Sequence, residues 1–274
     1  MKREIGSLSA DIFLPENPKF KSPLILVHGL WSGGWSWHEW ATQWSNLGWE
    51  CWAVNFRGRT EEKAQEILVR LTFEDCVNDL QGVVRAAVYP PVILAHDFGG
   101  LVAMKVAEAT ELSGLVLMAA LPPAQMEAAL TRPFRLLRLK YSPLVFLGRS
   151  FRPQEKDFSN NWLSSVPENW RPGILRGVVP ESRHLIKEFF YRCVEIDPAR
   201  IRCPVLVTGG GQDRLLSSSA LHELASGLGA QVLEYPHHGH WMMGETEGQK
   251  IVREIHRWVI QKLGERILLA QFPQ

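Results

Sequence analysis

The sequence predicts an α/β fold, a mostly parallel sheet with helices on both faces and an inserted helical cap, and three observations carry that prediction. Short apolar blocks rich in β-branched residues alternate with helix-length amphipathic segments, the pattern of a sheet covered on both sides. Most of the blocks are apolar throughout rather than at every second position, so both strand faces should be buried. The alternation stops after Leu121-Pro122-Pro123 and resumes at Cys203-Pro204-Val205, an interval too long for a plain loop.

Taken in order, the strands are Leu24 to His28, Glu50 to Asn55, Val92 to His96, Leu115 to Ala119, Val205 to Thr208 and Val232 to Tyr235. Between them Trp37 to Leu47, Phe73 to Val88, Leu101 to Ala109, Ser217 to Leu228 and Thr246 to Lys262 have helical length and periodicity. Ser217 to Ser219 supply caps for the fourth of these. Residues 1–123 and 201–274 therefore form the core, and residues 124–200 an inserted helical cap. Within that cap Arg132, Arg135, Arg138, Lys140, Arg149 and Arg152 alternate with Phe134, Leu136, Leu137 and Leu139. This reads as a helix with a solvated basic face, since a membrane-surface helix would want a longer apolar stripe.

A chain of 274 residues, 46% hydrophobic and 22% charged, suits one sizeable domain carrying an insertion. A net charge of +1 creates no global field for nucleic acid or an anionic membrane. The expected partner is a small-molecule substrate, with neither nucleic acid nor membrane, and a homodimer is left open. Met1 to Phe13 mixes Lys2, Arg3, Glu4 and Asp11 among short apolar residues, without the apolar run of a signal peptide. No stretch approaches the roughly 18 to 20 apolar residues of a membrane span. Cys51, Cys76, Cys193 and Cys203 lack CxxC spacing and read as buried thiols in a reducing cytoplasm. No metal and no organic cofactor is called for.

The chemistry concentrates at Val92-Ile93-Leu94-Ala95-His96-Asp97-Phe98-Gly99-Gly100, a strand, a sharp turn and a helix with small residues two before and two and three after Asp97. That is the nucleophile-elbow pattern, in which strand and helix approach too closely for larger neighbours. The chain resembles an α/β-hydrolase-fold protein, and Ala-His-Asp-Phe-Gly-Gly is similar to the elbow of epoxide hydrolases and haloalkane dehalogenases. The resemblance implies an oxyanion loop at His28-Gly29-Leu30-Trp31, with the N–H groups of Leu30 and Phe98 converging on the nucleophile. It implies a triad acid at Asp213, after Gly209-Gly210-Gly211-Gln212, and a triad histidine at His240. The order nucleophile, acid, histidine is that of the fold. An isolated Asp-x-Gly would rather be a helix cap, and His237, His238 and His240 alone could be a metal tract; the joint spacing favours the triad. His28 should organise its turn and His96 bond within the core. Of the 11 tryptophans, most must be packing residues, with Trp31 a candidate for the pocket.

An aspartate, with a reference pKa of about 3.9, is ionised at neutral pH and attacks without a base. Attack on an acyl carbonyl would give a mixed anhydride, whereas attack on a strained or activated sp³ carbon gives an alkyl ester that a water activated by His240 can hydrolyse. Epoxide hydrolysis is the expected reaction. Its proton donors, by the resemblance, are cap tyrosines, here Tyr141 or Tyr191. Halide displacement is the alternative, weakened because Phe98 offers no N–H from its side chain, although Trp31, Trp162 or Trp170 could supply one. Trp31 also stands where epoxide hydrolases usually carry proline, and Trp31-Ser32-Gly33-Gly34-Trp35 looks more like the loop of small esterases and hydroxynitrile lyases. Two further alternatives are an ester or lactone hydrolase relative with Asp97 in place of serine, and a ligand-binding member of the fold without turnover.

Overall fold

Residues 1–126, 130–148 and 150–269 are described by a computed structural model of the chain. Two strands that the sequence reading missed begin it, β1 (Lys2–Ile5) and β2 (Leu8–Phe13), an antiparallel hairpin on the edge of the sheet. In β2 burial alternates along the strand, and Lys, Arg and Glu in β1 mask the pattern, as suits an edge strand. Next come β3 (Leu24–Val27), α1 (His38–Asn46), β4 (Cys51–Asn55), α2 (Ala64–Arg70), α3 (Phe73–Ala86), β5 (Val92–His96), α4 (Phe98–Ala107) and β6 (Gly114–Met118). The segment that follows holds α5 (Arg132–Phe146), α6 (Glu155–Asn161), α7 (Arg171–Gly177) and α8 (Arg183–Tyr191). The chain then closes with β7 (Val205–Gly210), α9 (Ser218–Leu228), β8 (Gln231–Tyr235) and α10 (Gly248–Leu263).

All six strands expected from the apolar blocks are present within a residue or two of their expected ends, and β3 to β6 are buried along their whole length. The sheet has eight strands in the order β1-β2-β4-β3-β5-β6-β7-β8, parallel from β4 onward. From β3 the chain crosses first to β4 on one side and then back to β5 on the other. Right-handed crossovers in opposite directions put their helices on opposite faces, and α1 accordingly packs with α10 while α3 packs with α4.

Local chemistry explains where the helices start. Thr72 and Asp75 form a reciprocal capping box at α3, worth about 1 kcal/mol. Ser217 caps α9 by accepting from the Ala220 N–H, as the serine run predicts. In α10, Ile251, Ile255, Trp258, Val259 and Leu263 are buried, one face of a 3.6-residue period. By contrast α4 starts directly after Asp97 rather than at Leu101, because the elbow leaves no room for a loop. The cysteines are all free, but only Cys51 and Cys76 are buried; Cys203 is half-buried and Cys193 exposed, against the expectation of four buried thiols. Among the described residues no helix is long and apolar enough to cross a membrane. Arg149 and residues 270–274 of the chain's final segment lie outside the described residues.

Candidate active site

Sheet register brings the candidate residues to one edge. His96 pairs with Met118, Met118 with Thr208, and Thr208 with Leu233, so the loops leaving β5, β7 and β8 emerge side by side at the carboxyl ends of the strands. Ligands of open α/β sheets bind there. A groove of about 840 Å³, lined by Lys21, Tyr89, Glu108 and Arg200, opens at the opposite, amino edge and touches none of these loops.

Asp97 sits at φ 54°, ψ −126°, a left-handed conformation costly for a residue with a side chain and typical of a strained functional turn. The turn is over-determined by what surrounds it. A Cβ on Gly99 would stand 2.4 Å from the His28 carbonyl oxygen, and one on Gly29 would stand 2.6 Å from Asp97 Cβ. Only glycine permits either approach. The capping explanation for Asp97 fails, because its side chain makes no cap hydrogen bond to α4. Instead Oδ2 accepts the Leu30 N–H at 3.2 Å. Phe98 opens α4, so its N–H has no acceptor within the helix. The other oxygen, Oδ1, has no hydrogen-bond partner in the protein and lies 3.6 Å from Nε2 of His240, which has none either.

His240 is held from three sides. Its Nδ1 donates to Asp213 Oδ2 at 2.8 Å, its carbonyl accepts from His96 Nε2 at 2.9 Å, and the rings of His96 and His240 lie edge to face at 5.0 Å. Asp213 is fixed in turn, Oδ1 accepting the N–H groups of Leu215 and Leu216 at 2.7 and 3.1 Å. All three side chains are buried. Burial alone would lower the His240 pKa, but the carboxylates of Asp213 and Asp97 outweigh it and raise the pKa to about 10. The two carboxylates thus favour the protonated imidazole of His240.

The neighbouring histidines behave differently. His28 donates from Nδ1 to the Gly29 carbonyl at 2.7 Å and accepts the Phe56 N–H on Nε2 at 3.2 Å. Burial, helped by Arg59, drives its pKa down to about 3. It is a neutral organiser of the turn, as expected. Burial and the His240 charge push His96 to about 4. The metal tract comes apart: His237 is exposed, His238 bonds the Thr246 carbonyl at 2.9 Å, and His240 serves Asp213. Among the described residues no group of three or more His, Cys, Asp or Glu could hold a metal ion.

The β6–β7 segment forms the roof. Trp162 stands edge-on to His240, ring centroids 6.4 Å apart, with Phe158 stacked on it and Trp31 and Phe189 around it. Trp31 is the hinge of this arrangement, and each of its polar groups goes to the roof segment. Its N–H donates to Glu181 Oε2 at 3.3 Å, its indole N–H to the Phe151 carbonyl at 3.1 Å, and its carbonyl accepts the Val179 N–H at 3.0 Å. Its φ of 58° is left-handed, which these three bonds must hold. Arg59 completes the clamp, pairing with Glu181 and donating to the Ser32 carbonyl at 2.8 Å. Glu181 and Arg59 are almost wholly buried, and no motif in the sequence marks either.

The cap tyrosines have partners of their own. Tyr141 donates its hydroxyl to Asp157 and Tyr191 shares a bond with Ser142 at 2.7 Å. Both sit on helices α5 and α8, turned to polar partners within the segment. Of the tryptophans considered as N–H donors, Trp31 spends its indole on Phe151 and Trp170 is nearly half exposed. Trp162 is buried beside His240 with an indole N–H that has no partner in the protein.

The model of the alpha/beta hydrolase family matches residues 24–254. The chain is similar to a carbendazim hydrolyzing esterase of Nocardioides sp. (strain SG-4G), 28% identical over 193 residues that cover 68% of this chain and 74% of that one. It also resembles a soluble variant of the monoglyceride lipase of Saccharomyces cerevisiae, solved with a substrate analog, at TM-score 0.78 and 14% identity, over 96% of this chain and 94% of that one. An esterase from Rhodococcus sp. ECU1013 superimposes at TM-score 0.73 and 16% identity, over 93% and 95% of the two chains. At such identities the structural likeness speaks for the fold. These three relatives are two esterases and a lipase.

Proposed function

Since the chain belongs to the alpha/beta hydrolase family and is a hydrolase of that fold, we propose that it works through Asp97 as a covalent nucleophile on an sp³ carbon. One observation carries this reading: Oδ2 of Asp97 already occupies the oxyanion position at Leu30 N–H while Oδ1 stands free beside His240. A carboxylate so placed attacks through Oδ1, and its carbonyl oxygen is the one that carries negative charge when the ester is later hydrolysed.

The charge on His240 gives the two steps their order. In the free enzyme the imidazolium balances Asp97 and Asp213. Alkylation turns Asp97 into a neutral ester, which removes one of the two carboxylates holding the proton, and the pKa of His240 falls. Neutral His240, oriented by Asp213, then takes a proton from the water that attacks the Asp97 carbonyl carbon. The oxygen facing Leu30 N–H and Phe98 N–H takes the charge until the ester collapses, product alcohol leaves and the carboxylate is restored. Losing one such donor costs about 3 kcal/mol of barrier lowering. Residues 124–200 act as the cap that excludes water and walls the site with aromatic rings, which fits an apolar alkyl substrate.

Epoxide opening was the expected reaction, and with the tyrosines engaged elsewhere it needs another proton source. Halide displacement needs none, only an N–H on the side away from Asp97, and the free indole of Trp162 on the roof favours it as a second reading. That indole alone is a modest argument, because Trp37, Trp40, Trp44, Trp49 and Trp258 also bury unpartnered indoles. The similarity to esterases favours a third, ester hydrolysis at an aspartate elbow. Intact mass of the His240→Gln protein after incubation with epoxides, alkyl halides and esters separates all three. An alkyl adduct mapped to Asp97 is the expected result, and the compound that leaves it names the class. No adduct from any compound, with strong esterase activity in Asp97→Ser, would overturn the alkyl mechanism.

A further inference from the structure

Helix α5 presents two apolar faces, and only one of them is used by the fold. Phe134, Leu137, Tyr141 and Val145 are buried. On the opposite side Leu136, Leu139, Phe146 and Leu147 are exposed, Leu139 to 74% and Phe146 to 69%. At 3.6 residues per turn, Leu136, Leu139, Pro143, Phe146 and Leu147 fall within an arc of roughly 100°, a continuous stripe along the helix. An isolated exposed leucine calls for no explanation, but an aligned row does.

The charge that α5 itself carries is of one sign. No Asp or Glu occurs between Glu127 and Glu155. Arg132 extends the stripe at its amino end, Arg135 flanks it on one side and Lys140 on the other. Arg132 and Arg135 make no ion pair among the described residues; Lys140 pairs with Asp157, and Arg138 lies over the Tyr191 ring. In sequence the segment reads as a solvated basic face for want of a longer apolar stripe, since inward and outward apolar residues together blur its period. In place, the outward face is apolar and basic at once. A second copy of the chain is a poor occupant, because a two-fold contact would bring two copies of the same basic face together.

We propose that the outer face of α5 docks the protein on an anionic lipid surface, with Leu136, Leu139, Phe146 and Leu147 entering the interface and Arg132 and Arg135 meeting the headgroups. Apolar side chains on one face and cations beside them are what interfacial binding requires, and each cation near an anionic surface strengthens it about fivefold. The proposal is independent of the reaction at Asp97.

Flotation of the full chain with vesicles of phosphatidylcholine alone, or mixed with phosphatidylglycerol, at low and high salt, tests it. Binding is expected to the mixed vesicles and to weaken with salt. Leu139→Ser with Phe146→Ser should reduce it about tenfold or more, and Arg132→Gln with Arg135→Gln about fivefold per charge. These side chains stand in water, so the variants should melt with the wild type. Failure to bind mixed vesicles, equal binding to both, or binding unchanged in the leucine and phenylalanine variant would overturn the proposal. So would a dimer in sedimentation velocity that the same variant abolishes, since a second copy would then own the stripe.

Discussion

The strand-end loops that carry Asp97, Asp213 and His240 and the β6–β7 segment that roofs them are built on opposite principles. Asp97, Asp213 and His240 each follow a strand of the sheet within a few positions, and backbone bonds or crowding among the adjoining strand-end loops fix them. The roof is fixed at long range, by a buried ion pair between Glu181 and Arg59 and by the three bonds that Trp31 makes to it. The core thus sets the chemistry, and the roof sets the shape of the oxyanion loop. Because Trp31 immediately follows Leu30, the contacts that tie Trp31 to the roof also bear on the loop that holds Asp97 Oδ2.

The largest expected effect tests the core half of this contrast. Asp97→Ala should abolish turnover, by roughly 10⁴-fold or more, with an unchanged fold, since the side chain caps nothing. Retained activity, measured on whichever substrate gives the adduct, would move the nucleophile elsewhere. Next comes the roof. Glu181→Ala strands a buried guanidinium, and such a break costs about 3–5 kcal/mol, a fall in Tm of roughly 10 °C for a chain of this size. If Glu181 also positions the oxyanion loop, kcat falls about 10²-fold while KM moves less, and Glu181→Gln, whose single amide oxygen can still accept the Trp31 N–H in place of Oε2, recovers part of kcat. A lowered Tm with kcat intact would reduce the roof to packing and break the comparison.

The same contrast explains what the sequence disclosed. Continuous apolar strands, the small residues around Asp97 and the chain order of acid and histidine are local patterns, and they point to the sheet and to the residues Asp97, Asp213 and His240 that the fold brings together. Glu181 and Arg59 are 122 residues apart and neither belongs to a repeat, a motif or a run, so nothing local announces that they meet. Tyr141 and Tyr191 were assigned by resemblance alone, and their partners Asp157 and Ser142 depend on how the cap helices turn, which periodicity does not fix. The edge hairpin was missed for a related reason, its charged outer residues hiding a short alternation.

The smallest expected effect concerns pH, and it separates the histidine of the triad from those that support it. His240 binds its proton more tightly in the folded protein, with a pKa of about 10 against 6.5. Its contribution is complete below pH 6.5 and is lost as pH rises toward 10. His28 and His96, lowered to about 3 and about 4, resist protonation that the unfolded chain accepts, so they stabilise above pH 6.5 and that stabilisation is lost as pH falls through the acid range. From these three groups Tm should be highest near pH 6.5 and decline on both sides. Asp213→Asn removes the stronger of the two charges that hold the His240 proton, and should flatten the alkaline decline while leaving the acid one in place. Melting curves across that range decide it: an alkaline slope as steep in Asp213→Asn as in the wild type would mean that the Asp213–His240 pair is not what the alkaline limb reports.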